Sequence, residues 1–172
     1  MLGLHHRRRS EIVGCNDGLK ASGVTEVHAS WFHDNYANRF GNGAGTHNDT
    51  VQSVDGPLTR FVFSGNAAYQ DACTSNRHFQ LAPIERQPPI GFMRIEGNFF
   101  YGINGINMDC EQTASDGAMT ANTFAGSATR GPFNGLLYAG NGMGSVRVSG
   151  NRYESGEPAD ANPGRGYTCV GG

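Results

Sequence analysis

The sequence predicts an all-β fold, a single-stranded parallel β-helix or solenoid of about five coils. Three observations predict it. Two short phrases each recur five times at a period of about 30 residues. The 26 Gly, with Asn beside them, punctuate apolar pairs and triplets. No window carries the 3.6-residue apolar spacing of an amphipathic helix. At 172 residues one architecture should account for the chain, with residues 1–13 as a leader or partial first coil and 14–172 as the β-helix.

The first phrase is a short apolar strand running into a turn with Asn: Val27-His28-Ala29-Ser30-Trp31-Phe32, Phe63-Ser64-Gly65-Asn66, Ile95-Glu96-Gly97-Asn98-Phe99-Phe100, Met119-Thr120-Ala121-Asn122-Thr123-Phe124 and Val148-Ser149-Gly150-Asn151-Arg152-Tyr153. Aligning Ser30, Asn66, Asn98, Asn122 and Asn151 gives, by subtraction, steps of 36, 32, 24 and 29 residues. Period-2 alternation turns Val27, Phe63, Ile95, Met119 and Val148 inward as one stacked column. The asparagines then stack at one corner, where their amides bond to the coils above and below and tolerate the left-handed backbone of a sharp turn. This ladder reads as structural.

The second phrase is a small residue followed by an apolar-polar-apolar triplet: Gly18-Leu19-Lys20-Ala21, Thr50-Val51-Gln52-Ser53, His78-Phe79-Gln80-Leu81, Gly105-Ile106-Asn107-Met108 and Gly135-Leu136-Leu137-Tyr138. Leu19, Val51, Phe79, Ile106 and Leu136 form a second inward column. Lys20, Gln52, Gln80 and Asn107 form an outward polar strip with one residue for each coil.

Five levels at about 4.8 Å each make a rod about 24 Å long. Open ends of a parallel coil present unpaired backbone groups, so further chain, a second copy or a capping partner is expected there. Gly166-Tyr167-Thr168-Cys169 reads as the opening of a sixth coil.

Composition narrows function. Thirteen Lys and Arg against 15 Asp and Glu, net charge −2, leave no footprint for binding nucleic acid through many phosphates. The one basic run, His5 to Arg9, is followed by Ser-Glu-Ile-Val-Gly-Cys-Asn-Asp, so it reads as a solvated leader; neither a signal peptide nor a membrane span is expected in this chain. Cys15, Cys73, Cys110 and Cys169 lack zinc spacing. Cys73 and Cys110, about one coil apart, are compatible with a disulfide or with free thiols.

Ser30-Trp31-Phe32-His33-Asp34-Asn35, then Gly45-Thr46-His47-Asn48-Asp49-Thr50-Val51-Gln52 and the Gly-Asn strand ends, resemble right-handed β-helix proteins of the pectate-lyase-like superfamily. The similarity spans roughly residues 14 to 155, and is most to minor tail or tail-fibre proteins of bacteriophages of actinobacteria and to related secreted bacterial proteins. It implies a right-handed coil, contact with a cell-surface or extracellular polysaccharide, and a virion or extracellular setting. No complete lyase or hydrolase signature carries over residue by residue.

Candidate chemistry follows from the repeats. Gln52, Gln80, Asn107 and Arg77 are the candidate sugar-binding residues, because amides at ~4.8 Å intervals suit a chain of hydroxyls. Asp109 and Glu111, about 6.7 Å apart along one strand, are candidates for acid and base at a glycosidic bond. Asn16-Asp17 and Asn48-Asp49 fall at equivalent places in successive coils. Protonation, a Ca²⁺ held by Asp17 and Asp49, or an Arg77 pair with Asp49 would relieve the stacked charge; a turn with side-chain-to-backbone bonds is the plainer expectation. With calcium, the resemblance implies Lys20 as a lyase base. His47 is a further acid-base candidate, with His33 and His78 near the same edge. Trp31, Tyr69, Phe99 and Tyr101 could stack on sugar rings, although the place shared by Trp31 and Phe99 after the turn favours core or corner packing. The expected class is a carbohydrate-facing module; a polysaccharide lyase or glycoside hydrolase and a purely structural rod are the alternatives.

Overall fold

A computed structural model describes residues 4–14, 17–34, 49–53, 57–70, 77–81, 90–102, 106–108, 114–125, 137–139 and 146–159. Among them the chain is all-β, without a helix. The strands run β1 (Leu4–Arg8), β2 (Glu11–Val13) and β3 (Leu19–Lys20), then β4 (Gly23–His28), β5 (Trp31–His33) and β6 (Asp49–Ser53). Next come β7 (Leu58–Ser64), β8 (Ala67–Tyr69) and β9 (Arg77–Leu81), then β10 (Phe92–Glu96), β11 (Phe99–Tyr101) and β12 (Ile106–Met108). The last are β13 (Gly117–Thr120), β14 (Thr123–Ala125), β15 (Leu137–Ala139), β16 (Val146–Ser149) and β17 (Arg152–Tyr153).

These strands make three sheets. Sheet A has the order β1-β4-β7-β10-β13-β16, sheet B β2-β5-β8-β11-β14-β17 and sheet C β3-β6-β9-β12-β15. Three consecutive strands thus enter three different sheets and the fourth returns beside the first. Every strand-to-strand pairing is parallel. The basic run lies in β1 and pairs with β4 from Leu4↔Val24 to Arg8↔His28.

One core serves all three sheets. Val27, Phe63, Ile95 and Met119 are fully buried and in register across sheet A, with Val148 next. Phe63 meets Phe32 of sheet B with ring centroids 5.4 Å apart and Phe79 of sheet C at 5.0 Å; Phe100 of sheet B stacks on Phe124 at 5.4 Å. Aromatic pairs in such offset and edge-on geometries add to the burial term. Leu58 and Phe61 both face inward although three residues apart, because the register slips at Gly23/Val24 and leaves Thr59 as an extra residue. The Thr59 hydroxyl donates to the Gly23 carbonyl at 2.9 Å.

The corner asparagines form the expected ladder. The Oδ1 of Asn66 accepts the backbone N–H of Ser30 at 2.8 Å, Asn98 that of Asn66 at 2.9 Å, Asn122 that of Asn98 at 3.1 Å and Asn151 that of Asn122 at 3.0 Å. Each Nδ2 donates back to a sheet A carbonyl: Asn66 to Val27, Asn98 to Phe63, Asn122 to Ile95 and Asn151 to Met119. One expectation is corrected. The left-handed residue is the one before each corner residue: Gly65, Gly97, Ala121 and Gly150 before the asparagines, and Arg9 and Ala29 before Ser10 and Ser30, all have φ between 46° and 69°, and the asparagines do not.

The second column also shifts at one place. Leu19, Val51, Phe79 and Ile106 align as expected, but Leu137, not Leu136, pairs with Ile106. In an apolar doublet, alternation alone does not select which residue takes the ladder position. Leu136, the four cysteines and Gly166 to Cys169 lie outside the described residues. At the other end of sheet B, β17 is covered by a turn in which Arg152 bridges Pro158 antiparallel and Ala159 is fully buried. A proline on that edge has no N–H to offer a further strand.

Candidate functional site

The outer face of sheet B follows from its three-residue strands. In β5, β8 and β11 the middle residue, Phe32, Ala68 or Phe100, is buried, so the flanking residues face outward. Register aligns Glu11, Trp31, Ala67, Phe99, Thr123 and Arg152 in one outward column. The second runs from Val13 through His33 and, by continuing the Phe32↔Ala68 register one residue, to Tyr69 and Tyr101.

Four aromatic side chains thereby share one open face. Trp31 is 47% exposed, Tyr101 45% and Tyr69 39%, with Phe99 half-buried between them. Tyr69 stacks on Tyr101 with centroids 5.6 Å apart and 30° between planes, and leans on Phe99 at 5.9 Å. The expectation that Trp31 packs in the core or at the corner is therefore corrected. Phe32, the next residue, takes the inward place and turns Trp31 out. Phe99 does share the Trp31 position, two levels away across Ala67.

His33 fixes one end of the strip. Its ring stacks on Trp31 with centroids 3.7 Å apart, Nε2 lies 2.8 Å from Glu11 Oε1 and Nδ1 lies 2.9 Å from Asp34 Oδ2. The Asp34 hydrogen bond raises the His33 pKa above its ordinary value; desolvation opposes this and the Glu11 bond adds to it. Held between two carboxylates, the imidazole keeps one indole face covered and leaves the rest of Trp31 in solvent.

The polar strip on sheet C exists as a register feature. Lys20 pairs with Gln52, Gln52 with Gln80 and Gln80 with Asn107. Lys20 is exposed and Gln52 half-buried. Arg77 occupies the position beside Asp49. Asp109, Glu111 and His47 lie outside the described residues.

Asp17 and Asp49 meet by a side-chain-to-backbone bond: the Asp49 N–H donates to Asp17 Oδ1 at 3.3 Å, and the Gly18 N–H donates to the Asp49 carbonyl at 2.9 Å. Asp49 is fully buried, so a ligand on the outer face would not reach it without rearrangement. Among the described residues no three His, Cys, Asp or Glu side chains converge as a metal site.

His33 and His78 do not share an edge. His78 is fully buried against Phe100, with ring centroids 5.0 Å apart, and its Nδ1 lies 3.0 Å from the Thr50 hydroxyl, which also accepts from Gln70 Nε2 at 3.1 Å. Burial pushes its pKa down to about 3, and the Tyr101 backbone acts weakly the other way. His78 is thus a neutral core residue, and among the described histidines His33 is the one beside the aromatic strip.

Compared with protein-family models, curated proteins and solved structures, the chain matches none.

Proposed function

We propose that the chain is a right-handed parallel β-helix module, of the pectate-lyase-like kind used in phage tails and secreted bacterial proteins, and that it binds a cell-surface or extracellular polysaccharide. The strand order supports the β-helix reading, since each circuit through three sheets advances every sheet by one strand. The observation that carries the binding reading is the outward strip of Trp31, Tyr69, Phe99 and Tyr101. An exposed aromatic cluster on an otherwise polar surface is a recognition feature. Flat rings complement the C–H faces of pyranoses, while the Tyr hydroxyls, Glu11 and Arg152 offer hydrogen bonds around them. Single-stranded nucleic acid also stacks on aromatic faces but needs a basic groove; here carboxylates of Glu11 and Asp34 frame the strip and net charge is −2.

The sugar chain would lie on sheet B, with the amides of sheet C as a second polar face. A lyase or hydrolase activity at Lys20, Asp17 and Asp49 or at Asp109 and Glu111 is the alternative, with Ca²⁺ as its candidate cofactor. A structural rod meeting a second copy or a capping partner at its ends is another. Microarrayed bacterial glycans and titration calorimetry test the binding reading. Trp31→Ala and Tyr101→Ala should each weaken the glycan found by about tenfold, roughly 1.4 kcal/mol. Unchanged affinity in the double variant, or self-association lost on these substitutions without any glycan bound, overturns it.

A further inference from the structure

A second constellation lies on the outer face of sheet A. His28 Nδ1 sits 2.6 Å from Ser64 Oγ, and His28 Nε2 sits 3.7 Å from Glu26 Oε2. Glu26 Oε1 accepts from Arg60 Nε at 2.6 Å, and His6 Nδ1 lies 3.2 Å from Oε2. The topology explains the meeting. Glu26 and His28 are two apart on β4 and share its outer face, while Ser64 pairs with His28 across β7. A hydroxyl, an imidazole and a carboxylate are thus lined up, the carboxylate fixed from behind by a guanidinium.

From this geometry we propose that Ser64 is a nucleophile for acyl esters, with His28 as its general base and Glu26 as the residue that positions His28. The Ser64 hydroxyl donates to Nδ1, so neutral His28 carries its proton on Nε2, facing Glu26. The 3.7 Å gap is long for a resting hydrogen bond and suits an ion pair that tightens when the imidazole becomes charged. Arg60, whose hydrogen bond to Glu26 is the main cause, holds the Glu26 pKa below its ordinary value, so the carboxylate is ionised when His28 takes up a proton.

The steps balance. Oγ of Ser64 bonds to the ester carbonyl carbon as its proton passes to His28 Nδ1. The tetrahedral adduct expels the alcohol, which takes that proton, and leaves an acyl-serine. Water then attacks the same carbon, giving one proton to His28; the carbon–Oγ bond breaks and Oγ recovers the proton, releasing the acid. The net reaction is ester plus water to acid plus alcohol, and no other co-reactant is needed. Arg8, in register with His28 on the side away from Ser64, is exposed and lies two strands from the nucleophile. Glu96, beside Ser64 on the other side, disfavours anionic acyl groups, so the expected acyl group is small and neutral.

The intact chain is incubated with p-nitrophenyl acetate, acid-quenched, digested and mapped by mass. The expected result is an acetyl group on the Ser64 peptide and p-nitrophenol release that drops at least 100-fold in Ser64→Ala and in His28→Gln, within the range of general-base catalysis. Glu26→Gln should slow acylation of Ser64 and Glu26→Asp should restore part of the rate; a merely structural Glu26 would leave the acylation rate of the folded variants unmoved. No adduct at Ser64, or acylation of Ser64 at an unchanged rate in His28→Gln, overturns the proposal. The probe contains no sugar, so the outcome is independent of the glycan-binding reading.

Discussion

Ala29 and Ala121 occupy corner positions where the backbone is left-handed, with φ of 46° and 55°, while Gly65, Gly97 and Gly150 fill the equivalent places. A Cβ costs roughly 1–2 kcal/mol in that region, partly offset by the greater chain entropy that glycine loses on folding. Ala121→Gly should therefore stabilise the protein by about 0.5–1 kcal/mol in urea titration. Gly97→Ala should destabilise by about 1 kcal/mol for backbone reasons alone, since its Cβ would meet nothing within 4 Å. The two buried or clamped histidines give opposite pH signs. His78 has a folded pKa of about 3, below its unfolded value, so the unfolded chain binds a proton that the folded one refuses. Stability should fall as pH drops from about 6.5 toward 3, by up to about 1.4 kcal/mol per pH unit, and His78→Gln should flatten that slope. His33 has a raised pKa, so its contribution is fully present below the unfolded value and is lost as pH rises through the folded one. Its NMR titration should lie above that of a free histidine, and indole fluorescence of Trp31 should follow it.

Within the elements, the Asn corner concentrates buried side-chain hydrogen bonds that link successive strands. Asn98 accepts from Asn66 and donates to the Phe63 carbonyl and to Asn122, all while 2% exposed. Asn98→Ala would strand the Asn66 N–H in the core and remove the side-chain donor from the Phe63 carbonyl. The expected cost is about 3 kcal/mol in urea unfolding, from buried groups left without partners. A ladder whose members all behaved as solvent-exposed amides would show almost none of that loss. The ladder was legible because its residues recur in one aligned position. The aromatic strip was legible only as a list of residues. Trp31-Phe32 and Phe99-Phe100 are apolar doublets, and alternation places one member inward without saying which. Burial of Phe32 and Phe100 in the Phe63 cluster resolves both.

Across the whole molecule, among the described residues, each sheet has interior strands paired on both sides and edge strands paired on one. β7 and β10 lie deep in sheet A and contribute Phe61, Phe63, Met93 and Ile95 to the core, whereas β3, two residues long, is an edge strand beside β6. In a stack where each level contacts its neighbours alone, opening should begin at the ends and spread inward. Hydrogen exchange should find the slowest amides in β7, β8, β10 and β11 and faster exchange in β1 to β3. Uniform protection along the stack would contradict this. The sequence by itself determined the all-β class, the five-fold recurrence, the sheet A column and the Asn ladder, because spacing and residue type suffice where a position repeats. Only the tertiary structure decided which residue of each apolar doublet faces out, that the left-handed turn precedes the asparagine, that His78 is buried, and that Ser64, His28 and Glu26 meet. Those outcomes depend on register between strands far apart in sequence, 36 residues for His28 and Ser64, and on competition for one core, and neither is written in any local pattern.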